Sequence, residues 1–184
     1  MNFVEEIREK IGRLVLRQKM KGVVRVPKVY NFQSAQKIGI LYFVEDERTY
    51  KFIKQFIKDI LEEGVRDVIA LGFVGDREMP HYIAVNINTD FFTNKDLNWF
   101  KKPSSPYITN FIENEFDILI DLSLQDIFPL TYVLGASNAQ YKVGKGIDAK
   151  QHLLDFMLNI EKTKGIEFLI EQINHYLSTI NSIK

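Results

Sequence analysis

The sequence predicts an α/β protein, a three-layer sandwich on a mostly parallel sheet with an antiparallel edge and an extra amino-terminal amphipathic helix. Three observations carry this. The runs KIGILYFV, DVIALGFV and FDILIDLS are almost continuously apolar, as strands covered on both faces must be. The stretches between and after them repeat their apolar residues at helical spacing. The short strand–helix–strand distance from the first run to the second suits a parallel crossover.

From Phe3, the residues Phe3, Val4, Ile7, Ile11, Leu14 and Val15 fall on one arc when each residue is turned by about 100°, which predicts a helix ending near Met20 to Gly22. KVYNFQSAQ is a polar connector into the first strand. Asp46 then stands at an N-cap position, Phe52, Ile53, Phe56, Ile57 and Ile60 keep helical spacing, and Gly64 is the stop. VRDVIALGFVG is the second buried strand. HYIAVNIN alternates Ile83, Val85 and Ile87 with Tyr82, Ala84, Asn86 and Asn88, which predicts a half-exposed strand running antiparallel to its neighbour.

TNKDLNWFKKPS has no period and reads as a long loop. Ser105 followed by Pro106 predicts an N-cap and first-turn proline for a helix through about Glu115. FDILIDLS follows as a strand, IFPLTYVLGASNA as a short helix and AQYKVG as another strand. Residues 152–160, HLLDFMLNI, fit a strand with Leu154, Phe156, Leu158 and Ile160 on one face, or a helix. An amphipathic helix across GIEFLIEQINHYLSTI closes the chain. With 184 residues and no internal repeat or linker, residues 1–184 read as a single domain, with 1–22 forming a basic amphipathic helix.

Composition removes several classes of function. There is no cysteine, which excludes disulfides, thiolate nucleophiles and cysteine-ligated metals. The 24 basic and 24 acidic side chains balance, so net charge steers the chain toward neither nucleic acid nor membrane. Glu5 and Glu6 stand where a secretory signal would be basic, and no apolar stretch approaches the roughly 20 residues of a transmembrane helix. A cytoplasmic protein is expected. The order IGILYFV, DVIALGFV, FDILIDLS and PLTYVLGASNAQYKVG, which covers nearly the whole chain, resembles a family of small Bacteroidetes proteins of unknown function. That resemblance implies a Rossmann-like fold and supplies no catalytic residue to carry over.

Ligands of open parallel sheets bind beyond the carboxyl ends of the strands. There the sequence places Glu45 and Asp46, Gly72 and Gly75, and Asp121 and Ser123. Asp46, Asp121 and Ser123 are the candidate ligand-binding residues, able to hold sugar hydroxyls or to act in acid–base chemistry. Capping of a helix by Asp46 and satisfaction of loop amides by Asp121 and Ser123 are the competing roles, and the ones Asp and Ser ordinarily take at turns and caps. Neither G-x-G-x-x-G nor G-x-x-x-x-G-K-[ST] occurs, so no nucleotide cofactor is indicated. Gly144-Lys145-Gly146 is a minimal anion-turn match. His81, His152 and His175 lack metal-ligand spacing, and LGASNA lacks the second glycine of a nucleophile elbow.

Lys10, Arg13, Arg17, Lys19, Lys21, Arg25 and Lys28 form a run interrupted by no acid. On a helix, Lys10, Arg13, Arg17 and Lys21 make a stripe suited to an acidic protein or a phosphate-bearing partner, or else a solvated face paired with the acidic remainder of the chain. Trp99, next to Phe100, Lys101 and Lys102, is a second candidate contact, as an anchor or as a lid. Two functions follow. One is a non-enzymatic binding or assembly module that uses the basic helix or Trp99. The other is a small enzyme or ligand-binding domain for a phosphorylated or sugar-containing metabolite at the carboxyl edge of the sheet.

Overall fold

The computed structural model describes residues 3–83 and 88–180. In chain order the elements are α1 (Phe3–Met20), β1 (Lys37–Phe43), α2 (Glu47–Glu62), β2 (Asp67–Val74), β3 (Thr89–Thr93), α3 (Pro106–Glu113), β4 (Ile118–Asp121), α4 (Phe128–Ala136), β5 (Tyr141–Lys145), β6 (Phe156–Leu158) and α5 (Ile166–Thr179). The six strands form one sheet in the order β3-β2-β1-β4-β5-β6, and every neighbouring pair is parallel.

Each face of the sheet is covered because successive strand residues point to opposite sides. Ile38, Ile40 and Tyr42 of β1 join Tyr50, Ile53, Phe56 and Ile60 of α2 and Ile166, Leu169, Ile173 and Leu177 of α5 in one core. Leu41 of β1 joins Leu71 and Phe73 of β2, Ile108 and Phe111 of α3, and Leu130, Val133 and Leu134 of α4 in the other. Asp46 is the N-cap of α2, accepting from the Thr49 amide at 2.7 Å, and Gly64 adopts φ +97° just past the helix, a conformation glycine takes without strain.

The predicted antiparallel edge is not present. Residues 84–87 of HYIAVNIN lie outside the described residues, and 81–83 are turn and coil. The strand beside β2 is instead Thr89–Thr93, paired in parallel from Ala70↔Thr89 to Val74↔Thr93. Its TDFFT sequence carries Phe91 into one core and Phe92 into the other, so it belongs to a doubly covered sheet and has no alternation to reveal it. Residues 152–160 divide: Gln151–Leu153 form a 3₁₀ turn and Phe156–Leu158 form β6.

The amino-terminal helix packs by a mixed face: Gly12 and Leu16 are buried, and Val15 and Met20 pack beside Leu16. Leu16 meets Phe128, Tyr132 and Ala136, while the Arg13 guanidinium pairs with Glu9 and with Asp126, both at 2.6 Å, and lies over the Phe128 ring. Lys101 reaches Glu5 at 2.9 Å, and Arg8 Nε donates to the Trp99 carbonyl. Much of the apolar arc is on the opposite side: Phe3 is 73% exposed and Leu14 61%, with Val4 and Ile7 also in solvent, while Ile11 is half-buried and Val15 packs beside Leu16. Burial alone would turn the helix the other way. Shape and charge hold it as it is, since a Cβ on Gly12 would overlap the Phe100 carbonyl oxygen and the Phe128 ring. Replacing Gly12 by Val should therefore cost about 2 kcal/mol by overpacking, read as a lower urea midpoint with an unchanged slope, although a glycine in mid-helix is ordinarily improved by substitution.

Candidate functional site

The strand order reverses between β1 and β4, and the chain leaves these two strands in opposite directions along the sheet. This opens a crevice at their carboxyl ends. The cavity there has a volume of about 480 Å³. Phe43, Phe73, Leu122 and Ile127 give it an apolar floor, Glu45 and Asp46 follow β1, Ser123 follows β4, and Gly165 and Glu167 begin α5.

Both long helices that open onto the crevice already carry carboxylates in their first turns. Asp46 caps α2, and the Thr49 amide holds its carboxyl below the usual range. Glu167 of α5 pairs at 2.9 Å with Arg48 of α2, so a salt bridge spans the mouth. The free amides and dipoles that would attract an anion are thus opposed by fixed negative charge.

Asp121 does not line the crevice. Its side chain and that of Lys150 are each 1% exposed, and Lys150 Nζ lies 2.5 Å from Asp121 Oδ2. The other carboxylate oxygen accepts the Ser123 amide at 2.9 Å, and Lys150 Nζ also donates to the Ser123 carbonyl at 3.3 Å. The ion pair therefore fixes the backbone of Ser123 from two sides. Gly144 makes room for it, since a Cβ there would lie 2.9 Å from the Asp121 carbonyl oxygen. Ser123 is buried and lines the crevice, and its hydroxyl has no hydrogen-bond partner. Among the described residues the buried hydroxyl of Tyr42 is also unpartnered, and it does not line this cavity.

A family model described as a family of unknown function, DUF6913, matches residues 8–180. The chain belongs to that family. No curated protein and no solved structure matches it. In this DUF6913 chain the structure brings Asp46 and Ser123 to one crevice and sets Asp121 behind it. Arg13 is held in its pairs with Glu9 and Asp126, and Trp99 is 58% exposed beside α1. Gly72 is inside β2, where a Cβ would meet the Phe91 and Tyr42 rings, and Gly144 and Lys145 are within β5. Among the described residues no group of three or more His, Asp or Glu side chains could hold a metal ion.

Two buried lysines escaped sequence reasoning. Lys150 sits in the loop IDAKQ, where nothing marks it as the partner of a strand-ending aspartate. Lys142 was visible as a cation inside the strand YKVGK of the DUF6913 sheet, an anomaly for a doubly covered strand. Its Nζ donates at 2.6 Å to the carbonyl of Leu134, one of the orphan carbonyls that end α4. Burial, reinforced by Arg25 and opposed by Asp155, pushes its pKa down to about 7.

Two predictions follow from these pairs. Asp121→Asn and Lys150→Met should each destabilise the DUF6913 chain by about 3 kcal/mol, because each leaves a buried partner uncompensated, while the double variant loses clearly less than the sum. A double-mutant cycle in urea checks this. For Lys142, the folded pKa is below that of the unfolded chain, so the unfolded state binds more protons between pH 7 and about 10.5. Its contribution to stability is complete above that window and is lost as pH falls toward 7. Denaturation from pH 7.5 to 9 should show unfolding free energy rising with pH, by at most about 1.4 kcal/mol per unit from this group, and Lys142→Met should flatten the rise.

Proposed function

We propose that this chain is a Rossmann-like domain that binds an uncharged, polyhydroxylated small molecule, such as a nucleoside or a sugar, in the crevice between β1 and β4. The observation that carries the reading is Ser123, a residue that lines the 480 Å³ cavity and whose buried hydroxyl has no partner among the described residues. An unsatisfied buried hydroxyl costs about 1–3 kcal/mol, and a site that tolerates this in the free protein gains it back when a ligand supplies the bond. The strand order 3-2-1-4-5-6 supports the Rossmann-like reading and puts the cavity at the place such sheets reserve for ligands.

The chemistry of the rim selects the ligand class. Glu45, Asp46 and Glu167 supply acceptors suited to sugar hydroxyls, and Phe43 and Phe73 offer flat apolar surface to a ring. A phosphate would meet three carboxylates and one arginine already paired with Glu167. The sugar-containing half of the sequence-based expectation is therefore favoured over the phosphorylated half.

Ser123→Ala separates binding from folding. It should leave the fold unchanged or raise its stability by about 1 kcal/mol, because it removes an unsatisfied hydroxyl, and lower ligand affinity about tenfold, the worth of one hydrogen bond. The measurement is a thermal-shift panel of nucleosides, free sugars and their monophosphates on both proteins. A shift with a neutral member that shrinks in the variant supports the reading; shifts confined to the monophosphates, or none at all, overturn it.

A further inference from the structure

We propose that the outward face of α1, with Trp99 beside it, is a docking surface for an anionic lipid bilayer. The helix packs by Gly12, Arg13 and Leu16, which leaves Phe3, Val4, Ile7 and Leu14 as an apolar stripe in solvent. Turning each residue by about 100° sets Lys10 and Arg17, with Glu6, along one edge of this stripe, and Lys21 follows just past the helix end at Met20. None of these three bases takes part in an ion pair among the described residues, whereas Arg8 and Arg13 are engaged with Glu5, Glu9 and Asp126. The other edge carries Arg8, whose Nε holds the Trp99 carbonyl, so the loop bearing the exposed Trp99 is tied to this edge of the helix. Val24 and Val26, in the segment that follows α1, are exposed as well.

Apolar residues centred between basic edges, with an aromatic alongside, form the pattern of a helix lying in a membrane interface. Charge complementarity decides the occupant. In an antiparallel pair of copies the edge of Glu6, Lys10 and Arg17 would meet itself, and in a parallel pair it would meet the edge bearing Arg8 and Lys19, so across either seam a second copy places more cations than acids. An anionic lipid surface answers both features at once, because it accepts the stripe and neutralises the free bases. The domain itself covers the opposite face of the helix, so docking needs no rearrangement.

The test is flotation of the full chain with vesicles of pure phosphatidylcholine and with vesicles containing phosphatidylglycerol. Trp99, the single tryptophan of the chain, serves as a fluorescent reporter. Binding to the anionic vesicles alone is expected, with a blue shift of Trp99 emission. Ile7→Glu with Leu14→Glu should weaken it at least tenfold. Lys10→Gln, Arg17→Gln and Lys21→Gln together should weaken it on the order of a hundredfold, about fivefold per basic residue near the surface. These are exposed positions, and the glutamine set carries the test should the glutamate pair disturb the fold. The proposal is overturned if anionic vesicles do not float the protein, or if neither variant weakens flotation. It is also overturned if sedimentation equilibrium finds a dimer that Ile7→Glu with Leu14→Glu dissociates, which would assign the face to a second copy.

Discussion

The Asp121–Lys150 ion pair is the constraint on which the carboxyl edge of this sheet depends. β4 and β5 are short, and the loops leaving them would otherwise be joined to the core by few backbone bonds. Lys150, from the segment after β5, reaches back to the last residue of β4 and closes with Asp121 at 2.5 Å in a site without solvent. A buried pair of this kind gains little net energy over an apolar pair of the same size, because desolvation offsets most of the attraction. Its effect is positional: only one arrangement satisfies both charges together with the Ser123 amide and carbonyl. The crevice wall inherits that definition at Ser123.

Lysine serves the body of the protein in a second place, under different electrostatics. Lys142 finds no carboxylate at hydrogen-bond distance from its Nζ and instead donates to the end of α4. Asp155 is nearby, but it accepts a bidentate pair from Arg25 at 2.7 and 2.8 Å and the amide of Lys142. Two buried lysines thus lie at opposite limits. One is paired with a buried carboxylate and the other has its pKa pushed down by burial, and the difference follows from which of them has an aspartate to itself.

The fold was legible where burial imposes a pattern. KIGILYF, DVIALGFV and ILID are buried along almost their whole length, and Asp46 with Gly64 bracketed α2 by chemistry local to the chain. The edge was misread because Ile83, Val85 and Ile87 alternate more clearly than TDFFT, a five-residue strand with aromatics on both faces. At the site, Ser123 and Asp46 could be placed by the rule that ligands gather at strand ends. The role of Asp121 could not, since it depends on a lysine 29 positions later whose loop has no signature. A buried and an exposed carboxylate have the same letter in a sequence.

The orientation of α1 marks a further boundary of sequence reasoning, because amphipathicity specifies two faces without saying which one is inside. Ordinarily apolar burial decides, at roughly 25 cal/mol per Å². Here the surface offered by α4 and the Trp99 loop is a fit for a glycine and an arginine: Phe128 fills the space above Gly12 and also carries the Arg13 guanidinium, which Asp126 anchors. Exposed ion pairs contribute about 0–1 kcal/mol each, so Leu16 and the close approach at Gly12 supply most of the attachment. An apolar stripe is then left in water at a standing cost. The face that packs is thus chosen by the close fit at Gly12 and Leu16 rather than by the largest apolar area the helix carries.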